Sequence, residues 1–184
     1  SRVDFIKDTL TGVTYHSNVE RPADHQVLLR EAGGQVHILR LQGYLFFGTT
    51  QNLLNRIRER LHDPAQPPLK YLMLDFHRVA ALGSSAVLGL VRLQQLAEAN
   101  HLHLLAADIT SRNLARLKQG GLVEGEDAFF HVFPSLDTCM EWCEDRLLAD
   151  DSRALAADSG SLQTQLAQAF STPEQIASFM GYLQ

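Results

Sequence analysis

The sequence predicts an α/β domain in which helices pack on a mixed sheet of four to five strands. Apolar runs of strand length alternate with amphipathic helical patterns, and repeated strand–helix alternation is typical of such a sheet. Two runs, "LKYLMLDF" and "LHLLAAD", are almost continuously apolar, which indicates central strands covered on both faces. The chain has 184 residues, 45% of them hydrophobic, which is enough for one such domain and a tail.

The first part of the chain is polar and rich in turn residues. We interpret residues 1–26 as a connector, irregular from 18 to 25, that precedes the folded domain. Residues 27–30 ("VLLR") and 36–43 ("VHILRLQG") then have the composition of strands. The Ala32-Gly33-Gly34 sequence between them predicts a hairpin turn.

Helices alternate with the later strands. Thr49 or Thr50 can cap a helix that ends before Pro64. Its apolar residues recur at helical spacing and predict a buried stripe of Leu53, Leu54, Ile57 and Leu61. Further helices are predicted in "SSAVLGLVRLQQLAEAN" and in "SRNLARLKQGGL", and a last short strand in "FFHVF".

The helix predicted to close the domain is capped by Ser135 and contains both cysteines. Cys139 and Cys143 are four residues apart, so a helix places them on one face. That face also carries Leu136, Met140 and Leu147. We interpret the cysteines as core residues of a protein from a reducing compartment. The alternative, half of a metal site, lacks a second Cys/His pair at ligand spacing.

The last part of the chain changes in composition. "ADDSRALAADSGS" is small and polar, which predicts a linker within residues 150–184. Two short helical patterns follow it, "LQTQLAQAF" and "PEQIASFMGYL", and neither is long enough to fold alone. We expect them to lead toward a further, C-terminal region. The folded domain is thus predicted to span residues 27–149.

Composition excludes several functions. The net charge of −5 argues against nucleic acid, which demands a basic face. No segment has the apolar length needed to span a bilayer. His101 and His103 alternate on a predicted strand and could form half of a metal site, but we interpret them as surface residues near a strand start. The sequence predicts no metal and no cofactor.

The segment "YLMLDFHRVAALGSSAVLGLVRL" resembles the core signature of STAS domains, which occur in anti-sigma-factor antagonists and at the cytoplasmic ends of SulP anion transporters. In that family a strand ends in an acidic residue, here Asp75, and a later turn with two serines opens a helix. Ser85 matches the serine that is phosphorylated in the antagonists. The acidic residue that precedes the pair in that branch is replaced by Gly83.

Three flanking segments resemble the transporter-linked branch of the family. "GYLFFG" is similar to its first strand and helix, "TGVTYHSNVERP" to the join with the last membrane helix, and "LDTCMEWCEDRLL" to its closing helix. The resemblance covers roughly residues 4–148 and implies the cytoplasmic domain of an integral membrane protein. It further implies a subgroup in which a cyclic-nucleotide-binding domain follows.

The two serines, Ser84 and Ser85, allow three interpretations. The first is helix capping, since a serine oxygen that accepts an amide hydrogen contributes about 1 kcal/mol. The second is phosphorylation, because added negative charge is favourable at a helix N-terminus. The third is a catalytic nucleophile, but "GSSAV" lacks the glycine two places after Ser85 that a nucleophile elbow requires. We therefore predict that the domain is not an enzyme.

A second group of residues is predicted to form an anion- or nucleotide-sensitive rim. Asp75 follows an apolar strand, at the sheet edge where ligand residues of parallel sheets collect. Gly48, Thr49 and Thr50 open a helix whose free amides could receive an anion. The alternatives are that Asp75 only makes a hydrogen bond with the following loop, and that Gly48 to Thr50 form a glycine turn with a threonine cap.

The favoured function is therefore a non-catalytic regulatory or interaction domain of a SulP-type transporter of sulfate, bicarbonate or a similar inorganic anion. Its predicted partners are its own transmembrane domain, a second copy, and a regulatory protein or nucleotide. The alternative is a free-standing anti-sigma-factor antagonist that switches a partner through Ser85.

Overall fold

A computed structural model of the chain describes residues 4–170 and 173–183. It divides into two compact units, Ser1–Asp145 and Arg146–Gln184. The elements, in chain order, are β1 (Ile6–Thr11), α1 (Ala23–Ala32), β2 (Val36–Leu45), α2 (Phe47–His62), β3 (Tyr71–Leu82), α3 (Ser84–Ala99), β4 (His103–Ala107), α4 (Ser111–Gln119), β5 (Phe130–Phe133), α5 (Leu136–Ala169) and α6 (Pro173–Tyr182).

The five strands form one sheet in the order β1-β2-β3-β4-β5. β1 pairs with β2 antiparallel, and every later neighbour pair is parallel. Each parallel connection contains a helix, because a parallel neighbour cannot be reached by a short turn. The predicted mixed sheet with helices packed on it is confirmed.

The main core lies between the sheet and helices α2 and α3. Leu53, Leu54 and Ile57 of the predicted α2 stripe are buried in it, and Leu61 packs against it partly buried. Cys139 and Cys143 of α5 are buried together with Met140 and Leu147, so their interpretation as core residues is confirmed.

The predicted hairpin between residues 27–30 and 36–43 is wrong. Residues 27–30 lie inside α1, which begins after Pro22 with Asp24 in its first turn and buries Leu29. The negative charge of Asp24 is favourable at the N-terminus of a helix. The antiparallel neighbour of β2 is β1, inside the segment predicted to be a connector.

A close backbone contact explains why β1 takes that place. The amide of Gly12, just after β1, donates to the carbonyl of Gly33 at 3.0 Å. A Cβ on Gly33 would lie 2.2 Å from the carbonyl carbon of Gly12. Gly33 therefore allows two backbones to meet, a role that the local sequence does not distinguish from that of a turn glycine.

The predicted linker after residue 149 is also different in the structure. "ADDSRALAADSGS" is helical, since α5 continues to Ala169. Alanine and leucine are strong helix formers, whereas glycine and serine are weaker ones. The helix continues through this segment because its alanine and leucine residues favour it more than Gly160 and the serines oppose it. α6 agrees with the second of the predicted short helices. Within residues 4–170 and 173–183, no helix is both long and apolar enough to cross a membrane.

Candidate functional site

Two helices start side by side at one edge of the sheet. β2 and β3 are parallel neighbours whose last residues, Leu45 and Leu82, are paired. The amide of Gly83 donates to the carbonyl of Leu45 at 2.8 Å. α2 then begins at Phe47 and α3 at Ser84, so both helix N-termini lie at the same edge.

Ser85 joins these two helix starts. Its Oγ accepts a hydrogen bond from the backbone N–H of Phe47 at 3.1 Å. Gly83 is the N-cap residue of α3, and no side chain caps that helix. The prediction that a serine caps its own helix is therefore wrong. Ser84 and Ser85 lie one and two positions past the N-cap residue, and Ser85 supplies an acceptor to α2 instead.

The threonines of α2 are engaged with their own helix. Thr49 Oγ1 accepts from the amide of Phe46 at 2.8 Å and donates to its carbonyl at 2.7 Å. Thr50 Oγ1 donates to the carbonyl of Phe47 at 2.9 Å, and both threonines are buried. The N-cap residue is Phe46, so neither threonine is the N-cap residue; Thr49 closes the cap from the third helical position.

Asp75 does not belong to this edge. β3 continues for seven residues beyond it, to Leu82, a distance of roughly 20 Å along a strand. Asp75 is buried, and its Oδ2 lies 3.4 Å from Nε of Arg40, which also pairs with Asp8 at 3.5 Å. Its Oδ1 accepts from the amide of His77 at 3.0 Å. The prediction that Asp75 lies at the rim is therefore wrong. It assumed that β3 ends with its apolar run, but the strand continues beyond that run to Leu82.

An aromatic rim, formed by Tyr44, Phe46 and Phe47, surrounds the two helix starts. These side chains are 57%, 49% and 45% exposed, and the rings of Tyr44 and Phe46 stack with centroids 6.2 Å apart. Phe46 and Phe47 line a cavity of about 910 Å³. Large exposed apolar groups that lie together are typical of interaction surfaces.

Tyr44 also explains the glycine that precedes the serines. A Cβ on Gly83 would lie 2.5 Å from the Tyr44 hydroxyl oxygen and 3.2 Å from the carbonyl oxygen of Leu45. A carboxylate side chain therefore has no room at position 83 while Tyr44 keeps its place. Gly83 thus leaves space for the Tyr44 hydroxyl, and a larger residue at position 83 would require the exposed Tyr44 side chain to move.

A second assembly of polar groups attaches the N-terminal connector to α5. Glu144 has a side chain only 1% exposed, and its carboxylate accepts hydrogen bonds from both the amide and the hydroxyl of Ser17. Its Oε1 also lies 3.2 Å from Nη2 of Arg21, which bonds Asp145 at 2.9 Å. We call Ser17, Arg21 and Glu144 the connector clamp.

The connector clamp was not predicted from the sequence. Its partners are separated by more than one hundred residues, and a single Glu in a helix ordinarily faces solvent. The available signal was its position: Glu144 follows Cys143 directly and lies one helical turn before Leu148, next to the apolar face.

Comparison with known proteins agrees with this architecture. Residues 28–139 match the family model of the STAS domain. The vacuolar basic amino acid transporter VSB1 of Saccharomyces cerevisiae is 28% identical over 156 residues, which are 80% of this chain and 15% of that protein. The chain thus spans about 15% of the length of this curated relative.

Two solved structures are similar to this chain. A sulfate transporter family protein from Wolinella succinogenes superposes with a TM-score of 0.51 at 23% identity, covering 62% of this chain and 88% of that one. The STAS domain of a SulP transporter from Vibrio cholerae gives 0.48 at 21% identity, covering 62% and 83%. Since the family model matches more than half of the chain, the chain belongs to the STAS domain family.

Proposed function

We propose that this chain is a non-catalytic, cytoplasmic regulatory and interaction domain of a SulP-type inorganic anion transporter. The connector clamp is the observation that carries the proposal. In this proposal residues 1–26 come from the transmembrane domain, and β1 and the clamp attach them to the STAS domain, residues 27–149. A movement of the membrane domain would then reach α5 through the buried carboxylate of Glu144.

The aromatic rim supports the same function. "GYLFFG" is the segment that resembles transporter-linked STAS domains, and its three aromatic side chains are exposed instead of forming core. We infer that the rim contacts the transmembrane domain of the same protein. The subgroup in which a cyclic-nucleotide-binding domain follows residues 150–184 stays a prediction, made from the closing-helix sequence. Homodimer formation also stays a prediction. So does binding of an anion or nucleotide at the starts of α2 and α3.

Ser85 is proposed as the regulated position of this edge. A phosphate there would add roughly two negative charges at neutral pH, directly beside the N-termini of α2 and α3, where the helix dipoles favour negative charge. The modified side chain would lie next to Phe47. A regulatory protein or the transmembrane domain could therefore sense the modification at the aromatic rim.

The test uses the full-length transporter. Ser85→Glu places a carboxylate that can still accept from the Phe47 amide, so we expect a folded domain and altered anion flux. Ser111→Glu is the matched control, because Ser111 is an exposed first residue of another helix, α4. Equal flux in wild type and Ser85→Glu would contradict the regulatory role.

The transported solute needs its own measurement. Sulfate and bicarbonate uptake are expected from the resemblance to SulP proteins, whereas the yeast relative is named a basic amino acid transporter. Uptake of arginine without sulfate or bicarbonate uptake would overturn the anion assignment and leave the regulatory role of the domain intact.

A fractionation experiment separates the transporter from the free-standing antagonist. An antibody against this chain should detect a large protein in the membrane fraction. A soluble band near 20.5 kDa would instead favour the antagonist. Gly83→Asp would then be informative, because the antagonist pattern has an acidic residue at this position and the Tyr44 side chain would have to move to admit it.

A further inference from the structure

We propose that His103, Glu126 and His131 bind one divalent transition-metal ion, most favourably Zn²⁺. We call these residues the His-His-Glu cluster. It lies away from the two helix starts, where β4 and β5 pair near the first turns of α5. One ligand atom from each of the three residues lies within 4.8 Å of the others.

The ligand geometry is close to that of a metal site. Nε2 of His131 lies 3.4 Å from a carboxylate oxygen of Glu126. Neighbouring ligand atoms in a tetrahedral zinc site are about 3.3 Å apart, given metal–ligand bonds of about 2.0–2.2 Å. One edge of the site therefore has the right length already, and the ring nitrogen of His103 has to approach by at most roughly 1.5 Å.

The sheet places the two imidazoles on one face. His131 is in register with Leu105 on the neighbouring parallel strand, and His103 is two residues before Leu105. Side chains two residues apart on a strand point to the same face. Their ring centroids are accordingly 5.5 Å apart.

Aromatic rings hold both imidazoles in position. The ring of Trp142 lies 4.8 Å from that of His131 and 5.7 Å from that of His103, measured between centroids. Tyr71 stacks on His103 at 5.6 Å, and Phe129 lies 4.8 Å from it on another side. Such an apolar shell orients metal-binding imidazoles and limits access of water.

The loop that carries Glu126 is fixed by a buried amide. The side chain of Gln94 donates to the carbonyls of Val123 and Ala128 at 2.7 and 3.0 Å and accepts from the amide of Val123 at 3.1 Å. Gly125, at φ +145°, pairs with Phe130 across the loop. The carboxylate of Glu126 is therefore supplied by an anchored loop and not by a freely moving one.

The donor set selects the class of metal. Two imidazole nitrogens and one carboxylate oxygen suit zinc, copper, iron or nickel, whereas magnesium and calcium prefer oxygen ligands alone. Two histidines and one glutamate also form the three-ligand set of several zinc sites, with a fourth position left for water. The competing explanation is a structural contact between His131 and Glu126 without a metal.

The test is a Zn²⁺ titration of the 184-residue chain after removal of metals with a chelator. Calorimetry should give one equivalent bound. The emission of Trp142, the single tryptophan, should change with the same midpoint, because its ring touches both imidazoles. Substitution of Co²⁺ should give the visible absorption of a tetrahedral site.

Variants assign the binding to the cluster. Glu126→Gln removes the exposed ligand with little risk to folding and should weaken Zn²⁺ binding at least about 10-fold, the lower limit found when even outer-shell partners are lost. His131→Gln should do the same. His101→Gln, an exposed neighbour outside the cluster, and Cys143→Ala should keep the affinity. Binding below one equivalent, or affinity unchanged in Glu126→Gln, would overturn the proposal.

Discussion

The Oγ of Ser85 accepts a hydrogen bond from the backbone N–H of Phe47 at 3.1 Å, so the first turn of α3 caps the first turn of α2. The two residues are 38 positions apart in the sequence. Parallel pairing of β2 and β3 brings them together, because it places the starts of both following helices at one sheet edge.

Ser85→Ala is expected to lower the free energy of unfolding by about 0.5–2 kcal/mol, the range for loss of a helix-capping oxygen. Ser84→Ala is the control, because that serine is exposed on the same turn and should change stability less. Urea denaturation of both variants measures the difference. Equal destabilisation by the two substitutions would mean that the Phe47 hydrogen bond contributes nothing specific.

Glu144→Ala should be more destabilising, by about 3 kcal/mol, the lower end of the range for a broken buried ion pair, since it leaves the half-buried Arg21 and Ser17 without their carboxylate. Asp145→Ala is the matched control: Asp145 is 61% exposed, and an exposed ion pair contributes at most about 1 kcal/mol. Hydrogen exchange at the Ser17 amide should accelerate in Glu144→Ala. Unchanged exchange there would argue against the connector clamp.

Gly89→Ala should destabilise the crossing of α2 and α3 by about 1–3 kcal/mol, the usual cost of overpacking. The added Cβ would lie 2.0 Å from Oγ1 of Thr50 and 2.4 Å from its Cβ. Gly160→Ala provides the contrast, since no atom lies within 4 Å of its added Cβ and alanine is the better helix former. Thermal unfolding would refute the packing argument if Gly89→Ala were neutral.

Stability should fall as the pH decreases from about 6.5 to about 4, in part because of His37. Burial, followed by the charges of Arg60 and Arg56, lowers the pKa of His37 from 6.5 to about 4. Between these two values the unfolded chain binds the proton and the folded chain does not, so acidification favours unfolding. At about 1.4 kcal/mol per pKa unit, and discounted for partial exposure, the loss is about 1–2 kcal/mol.

The His37 contribution is measured as a difference between variants. His37→Gln should flatten the pH dependence of the unfolding free energy, while His62→Gln, at an exposed position, should leave it as in wild type. An identical slope in wild type and His37→Gln would assign the acid sensitivity to other groups.

Helices and strands with strong periodic patterns could be predicted from the sequence. The buried stripe of α2 and the cysteine face of α5 are examples. A helix that is buried on one side has apolar residues at regular three- and four-residue spacing, and this spacing can be recognised in the sequence. The N-terminal strand could not be predicted this way. β1 has one buried residue, Ile6, at its start, and its side chains do not alternate clearly between buried and exposed. Its place depends on β2 and on the contact of Gly12 with Gly33.

In the candidate site, too, local features could be predicted from the sequence and contacts between distant residues could not. The sequence alone determined that Gly48, Thr49, Thr50, Ser84 and Ser85 stand at helix starts, since small and hydroxyl residues there follow local backbone requirements. Only the tertiary structure decided which helix Ser85 caps, that Asp75 pairs with Arg40 instead of lining the rim, and that Glu144 reaches the connector. These contacts join residues that are distant in the chain, and their partners are selected by strand register and burial, which local sequence does not encode.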